Sequence, residues 1–117
     1  MNTKKLGLLG EEMAAKYLAQ NGCRIIEKNF RVRSGEIDLI VLDKDCLCFV
    51  EVKTRTAYGS PQEAVSINKQ KKITRLAKFY LRDRFRHLDV RCRFDVVAVD
   101  EQSERILWFK SAFESIE

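Results

Sequence analysis

The segment GEIDLIVLDKDCLCFVEVK, residues 35–53, is typical of two β-strands folded back on each other, and it gives the clearest indication of the fold. Ile, Leu, Val and Phe favour strands, and a polar stretch at residues 43–45 interrupts them near the middle. If Lys44 and Asp45 form a two-residue hairpin loop, Asp43 faces Cys46. Both faces of the hairpin are then apolar over most of their length. This pattern indicates central strands that are covered on both sides.

The charged residues lie together at the open end of this hairpin. In the register just described Asp38 is opposite Glu51 and Glu36 is opposite Lys53, so that all four side chains share one face. Ile37 falls on the other face, with the remaining odd-numbered residues of the first strand. A four-residue loop preserves this register, whereas a three-residue loop would place Asp38 and Glu51 on opposite faces.

Two carboxylates that face each other in a sheet need a compensating partner. At about 5 Å and an effective dielectric constant near 20, their repulsion is roughly 3 kcal/mol. A shared proton, a neighbouring cation or a bound metal can offset it. We interpret Asp38 and Glu51 as ligands of Mg²⁺ or Mn²⁺, with a backbone carbonyl and waters completing the shell. Lys53 would then lie beside the attacking water and a phosphate. For Glu36, an ordinary ion pair with Lys53 is the alternative.

The rest of the chain predicts two helices and three further strands. In chain order these are a helix at 4–20, which ends before Asn21-Gly22, a strand at 23–33, a helix at 66–86, and strands at 91–99 and 105–109. A loop at 54–64 joins the hairpin to the second helix. The order is therefore helix, three strands, helix, two strands. It predicts an α/β fold, with a mixed central β-sheet flanked by helices, in a single domain spanning residues 1–117.

Composition restricts the class of protein. The net charge of +5 and the pI near 9.1 favour a polyanionic partner. Four cysteines without a CxxC pair and one histidine are a poor match to a zinc site, and reduced, mostly buried cysteines are typical of a cytoplasmic protein. Glu11 and Glu12 interrupt the apolar N-terminal segment, which predicts neither a signal peptide nor a membrane span.

The second predicted helix is strongly basic. Its one acid is Asp83, and its eight basic residues are Lys69, Lys71, Lys72, Arg75, Lys78, Arg82, Arg84 and Arg86. A solvated face is the usual explanation for such a helix. Because a candidate phosphodiester-cleaving site lies one loop away, we predict phosphate contacts from the residues nearest that site, which are Arg55, Lys69, Lys71, Lys72 and Arg75. Gln70 falls on the inner side, where it would support the site.

Several motifs resemble known nucleases. An Asp followed one strand later by Glu-x-Lys resembles the PD-(D/E)xK superfamily, which includes type II restriction enzymes and archaeal Holliday-junction resolvases. Over nearly the whole chain, GEEMAAKYLAQNGCRIIEKNFRVRSGEIDLIV, FVEVKTR, EAVSINKQKK and CRFDVVAV resemble the YraN-like family of bacterial endonuclease-like proteins. The resemblance implies a restriction-endonuclease-like core.

The resemblance also implies roles for individual residues. Asp38 and Glu51 would bind the metal, with the carbonyl of Val52 as a third ligand, and Glu36 or Glu11 would reach it through water. Lys53 would orient or activate the attacking water. The resolvase branch adds a glutamate on the first helix, which matches Glu11.

Helical spacing agrees with the inward orientation of Glu11. Glu11 shares a face with Leu8, Ala14, Ala15 and Leu18, whereas Glu12 is predicted to be solvated. A favourable acid near the helix N-terminus is the alternative explanation for Glu11. Two departures from the related sequences leave the ligands intact. Ile37 replaces the proline of the superfamily name, and Ser66-Ile67 replaces a Thr-Pro pair, although Ser66 can still cap the helix.

Three residues near the end of the chain carry structural predictions. We predict that Asp95 is structural and pairs with Arg93 or Arg31. We also predict that Trp108 and Phe109 pack in the core, with base stacking as the alternative.

These observations predict a Mg²⁺-dependent endonuclease that hydrolyses DNA phosphodiester bonds at branched or repair and recombination structures. One alternative is a non-catalytic nucleic-acid-binding module with a nuclease fold. Another is an interaction protein whose basic helix binds an acidic protein partner. The sequence leaves open whether the nucleic acid is DNA or RNA and whether the protein acts as a homodimer.

Overall fold

Five strands and two helices form the described part of the chain. The structure is a computed structural model that describes residues 3–54, 65–85 and 90–115, with side chains from residue 8 onward. The elements are α1 (Thr3–Gln20), β1 (Arg24–Val32), β2 (Gly35–Asp43), β3 (Cys46–Thr54), α2 (Ile67–Arg84), β4 (Cys92–Asp100) and β5 (Arg105–Phe113). The strands follow the order β1-β2-β3-β4-β5 across one sheet, in which only β3 and β4 run parallel. The predicted element order and mixed sheet are confirmed.

The hairpin register is also as predicted. Asp43 pairs with Cys46 and Leu39 pairs with Val50 in an antiparallel ladder. The turn consists of Lys44 and Asp45, and Lys44 has a φ of +57°. The strand β5 extends to Phe113, four residues beyond the predicted end at Phe109, because β4 continues to pair with it as far as Phe94.

The two helices cover opposite faces of the sheet. Ala14, Ala15 and Leu18 of α1 pack against one face, in a cluster with Leu39 and Val50. The inner face of α2 packs on the other face through Ile73, Leu76, Ala77 and Tyr80, in a cluster with Ile40, Leu47, Phe49 and Phe94. Because β2 and β3 are buried on both sides, charged side chains are unfavourable in them except where the strands end.

The cysteines are all free, and three of the four are buried. This confirms the prediction of unpaired thiols that pack in the interior. None of the helices among the described residues combines the length and apolar character that a membrane span requires.

Gly10 allows α1 to approach the end of β3. A Cβ at position 10 would collide with the Cγ2 methyl of Thr54 and would lie 3.3 Å from Oε1 of Glu101. We expect Gly10→Ala to destabilise the protein by about 1–2 kcal/mol, because this overlap outweighs the higher helix propensity of alanine. Urea unfolding of Gly10→Ala, Thr54→Ser and the double variant tests this. Removing the methyl in the double variant should restore the lost stability, and a stable single variant would show that the contact is not close.

Candidate active site

The regular ladder between β2 and β3 ends just before the acidic residues. Its last pair is Leu39 with Val50, and beyond it Oδ2 of Asp38 accepts a hydrogen bond from the backbone N–H of Val52 at 2.8 Å. The carboxylate of Asp38 thus replaces a main-chain acceptor. The predicted regular backbone pair of Asp38 with Glu51 is therefore wrong, because the ladder ends at Leu39 and Val50.

The alternation of β2 also breaks at this point. Ile37 lies in the cluster under α2 together with Phe30, whereas Leu39 lies in the cluster under α1. The prediction that Ile37 and Leu39 share a face is therefore wrong. Asn29 of β1 lies between the pairs that flank Asp38 and has a φ of +52°, a conformation that asparagine adopts more readily than most residues. The irregularity of both strands makes Asp38 accessible to groups from α1 as well as β3.

Glu51 is buried with two lysines and Asp38 around it. Only 5% of Glu51 is exposed, and its Oε2 lies 3.6 Å from Nζ of Lys69 and 3.9 Å from Nζ of Lys53. Burial, together with a hydrogen bond to Asp38 and repulsion by it, raises the pKa of Glu51 to about 8, although the two lysines oppose this shift. The two carboxyl groups are therefore adjacent, and burial beside Asp38 favours the protonated form of Glu51. The close approach that the sequence predicted occurs, although the strand is irregular.

Glu36 lies at the edge of this group. Its Oε2 accepts a hydrogen bond from Nε of Arg31 at 3.0 Å, across the β1–β2 pair. The ion pair of Lys53 is with Glu51 instead. The alternative prediction of a Glu36–Lys53 pair is therefore wrong, because β1 supplies a closer cation than β3 does.

Glu11 approaches the site from the other face of the sheet. It is half-buried while Glu12 is exposed, so the predicted orientation of α1 is confirmed. Burial and the neighbouring Asp38 raise the pKa of Glu11, while a hydrogen bond from Asn29 acts in the opposite direction. Oε1 of Glu11 is buried and accepts no hydrogen bond from the residues that the structure describes. A cavity of about 130 Å³ adjoins it, lined by Leu8, Glu11, Glu12, Lys28, Asn29 and Leu39.

The first turn of α2 brings Lys69 to Glu51. Ser66 caps this helix, as predicted, and its hydroxyl accepts a hydrogen bond from the backbone N–H of Lys69 at 3.1 Å. Gln70 is buried, also as predicted, and its Nε2 donates to the carbonyl of Val65 at 2.8 Å. These two bonds fix the start of the helix. Sequence reasoning treated Lys69 as a phosphate contact and missed its position beside Glu51.

Three of the other predicted phosphate contacts lie on the surface of α2. Lys71, Lys72 and Arg75 are exposed on α2. Arg55, also a predicted phosphate contact, lies outside the residues that the structure describes.

The donor set at the end of β3 fits a hard divalent cation. The N–H and C=O groups of one strand residue point to the same side, and the N–H of Val52 points to Asp38. The Val52 carbonyl is therefore directed to the side of the strand where Asp38 lies. Within residues 3–54, 65–85 and 90–115 no cluster of three or more His, Cys, Asp or Glu side chains has the arrangement of a metal site. Two carboxylates and one carbonyl suit Mg²⁺, which keeps several waters, better than they suit zinc.

A second polar cluster lies at the other end of the sheet, and the sequence indicated only part of it. Asp95 has no exposed surface and accepts hydrogen bonds from Nε of Arg93 and Nε1 of Trp108, each at 3.0 Å. The guanidinium of Arg93 also donates to Asp43 at 2.7 Å, and this bond holds the pKa of Asp43 below its usual value. The predicted pairing of Asp95 with Arg93 is confirmed. Trp108 and Phe109 are partly buried against the two core clusters.

Comparison with known proteins identifies the family. The model described as "Uncharacterised protein family UPF0102" matches residues 10–99, a range that includes all the acidic residues of the candidate site. A UPF0102 protein of Syntrophus aciditrophicus is 50% identical over 115 residues, which cover 94% of this chain and 89% of the relative. This chain belongs to UPF0102. Another UPF0102 protein, from Rhodococcus jostii, is 53% identical over 96 residues, or 80% of each chain. The YraN-like resemblance of the sequence motifs is thereby confirmed.

A solved structure also resembles the UPF0102 chain. It is that of SfsA from Pyrococcus furiosus in complex with Ca²⁺, with a TM-score of 0.41 and 18% sequence identity. The match covers 93% of this chain and 64% of the SfsA chain. At this level of identity and structural similarity, no site or ligand is transferred from SfsA to UPF0102.

Proposed function

We propose that this protein is a Mg²⁺- or Mn²⁺-dependent endonuclease of the PD-(D/E)xK type, with a restriction-endonuclease-like core in one domain, that hydrolyses DNA phosphodiester bonds. The observation that carries the proposal is the buried contact between Asp38 and Glu51, with the ammonium of Lys53 3.9 Å from Glu51. Two adjacent buried carboxylates destabilise a fold unless a proton or a cation offsets their repulsion, and acids in such surroundings are concentrated at functional sites. The free cysteines agree with a cytoplasmic location.

Each side chain has a defined task in this mechanism. Asp38 and Glu51, with the carbonyl of Val52, would hold the cation, which supplies Lewis-acid stabilisation of the charge that develops on the phosphoryl oxygens. Lys53, whose side chain is partly exposed, orients the attacking water. In-line attack forms a new P–O bond while the bond to the leaving oxygen breaks.

Three other residues complete the arrangement. The hydrogen bond from Val52 to Asp38 holds that carboxylate in one orientation. Glu11, whose Oε1 has no hydrogen-bond partner within the described part of the chain, would accept a hydrogen bond from a water on the α1 side. Lys69, 3.6 Å from Glu51, would become available to a phosphate once a cation binds the two acids.

Cleavage of labelled linear, flapped and four-way-junction DNA with Mg²⁺ or Mn²⁺ tests the proposal. We expect Lys53→Ala to reduce cleavage by about a hundredfold or more, because water positioning is lost. The matched control is Lys44→Ala in the β2–β3 turn, an exposed lysine at the other end of the hairpin, which should cleave normally. Full activity of Lys53→Ala would refute the assignment.

A non-catalytic nucleic-acid-binding module is the second candidate function. The exposed side chains of Lys71, Lys72 and Arg75 on α2 favour it independently of the acidic site. Steeply salt-dependent binding, without turnover of any substrate at any metal concentration, would support the module over the nuclease.

A further inference from the structure

The β1–β2 turn lies beside the basic side of α2. The aliphatic chain of Lys72 passes over Gly35, where a Cβ would lie 3.0 Å from Cδ of Lys72 and 3.3 Å from Cδ1 of Leu76. Gly35 has a φ of +155°, so glycine suits both the backbone and the contact. The chain of Lys72 therefore lies over the β1–β2 turn, and Arg33 is exposed in the same turn, two residues before Gly35.

Lys69 and Lys72 connect this turn to the acidic site. They are three residues apart on α2 and therefore lie on the same side, one above the other. Nζ of Lys69 lies 3.6 Å from Glu51. The three cations thus form a series that begins at Glu51, follows the first turn of α2 and ends at the β1–β2 turn.

The charges of Lys72 and Arg33 in this series are available to a ligand. Among the described residues, no carboxylate lies within ion-pair distance of Lys72 or Arg33. Glu36, which follows the turn, is neutralised by Arg31 at 3.0 Å and so repels a phosphate less. At the other end of α2, by contrast, Arg84 is paired with Asp83 at 3.2 Å.

We propose that one strand of a bound nucleic acid leaves the acidic site along Lys69 and Lys72 and crosses the β1–β2 turn, where Arg33 binds a backbone phosphate. The inference rests on the proposed function, since it concerns the substrate of that same site. Arg33 contacts phosphate and no base, so its contribution is the same for every sequence. The β1–β2 turn is therefore part of the nucleic-acid interface, and the C-terminal end of α2 is not.

Binding of a fluorescently labelled oligonucleotide in EDTA, followed by anisotropy at several salt concentrations, tests the path without any cleavage. We expect Arg33→Ser to weaken binding about threefold to tenfold and to reduce the slope of log K against log salt by about 0.7–0.9. The matched control, Arg84→Ser, removes an exposed arginine from the other end of α2 and should bind as the native protein does. Lys72→Ser, which removes the charge that lies over the turn, should weaken binding in the same way as Arg33→Ser.

The possible outcomes separate this inference from the proposed function. If Lys69→Ala weakens binding but Arg33→Ser does not, the path over the turn is wrong while nucleic-acid binding stands. Equal losses for Arg33→Ser and Arg84→Ser would also overturn the path, because net charge alone would explain them. If the native protein shows no salt-dependent binding, both the path and the proposed function fail.

Discussion

Glu51→Gln is expected to abolish metal-dependent cleavage and to stabilise the metal-free fold at alkaline pH. Loss of a carboxylate ligand should reduce the rate by about a thousandfold or more. The gain in stability has a separate cause, because Gln cannot ionise and its amide can still donate a hydrogen bond to Asp38. Glu51→Gln should thus lose activity and gain stability. A structural acid would instead lose stability when it is replaced.

The pH dependence follows from the raised pKa of Glu51. The group has a pKa of about 8 in the folded protein and about 4.5 when unfolded, so between these values the folded state holds a proton that the unfolded state has lost. The stabilisation is fully present below pH 4.5 and is lost as the pH rises through 8. Glu51→Gln should therefore match the native protein near pH 4.5 and exceed its free energy of unfolding by about 1–3 kcal/mol at pH 9.

Urea unfolding in EDTA at pH 4.5, 7 and 9 measures this difference. Glu104→Gln in the exposed β4–β5 turn is the control and should show no such divergence. A Glu51→Gln protein that is less stable than the native one at pH 9 would mean that the carboxylate is stabilising there. Glu51 would then be a structural acid, and the metal site would lose its main support.

Asp95→Ala is expected to cause the largest loss of stability. Asp95 accepts hydrogen bonds from Arg93, Trp108 and the backbone N–H of Ser111, the last at 3.0 Å. Its removal leaves buried donors unsatisfied and leaves the guanidinium of Arg93 with Asp43 as its remaining carboxylate partner. Burial lowers the pKa of Arg93, but its hydrogen bonds to Asp95 and Asp43 outweigh that effect and keep it charged. We expect a loss of about 3–5 kcal/mol in the free energy of unfolding.

Unfolding followed by circular dichroism tests this without relying on Trp108, which contacts Asp95. Asp45→Ala is the matched control, since the Asp45 side chain is 81% exposed and lies 3.7 Å from Arg91. It should change stability by less than about 0.5 kcal/mol. If Asp95→Ala does not fold, Asp95→Asn, which keeps the shape and an acceptor, should fold with an intermediate stability. A loss for Asp95→Ala no larger than that for Asp45→Ala would contradict the proposed importance of the cluster.

Sequence determined the hairpin and most members of the candidate site. The strand pair from Gly35 to Asp43 and from Cys46 to Thr54 depends on local alternation and a two-residue turn, so its register could be predicted from a few neighbouring residues. Alternation also placed Asp38, Glu51 and Lys53 at one end. The helical repeat distinguished Glu11 from Glu12, because that repeat is fixed within α1 alone.

Tertiary structure decided the contacts that join separate elements. Lys69 reaches Glu51 only because Ser66 and Gln70 fix where α2 begins relative to β3. Glu36 pairs with Arg31 rather than Lys53, since β1 lies nearer to it. Asp38 leaves the regular ladder because its carboxylate accepts the N–H of Val52. These contacts depend on competition among polar groups that come together only when the sheet and helices assemble. The local sequence repeat of a strand or helix therefore does not predict them.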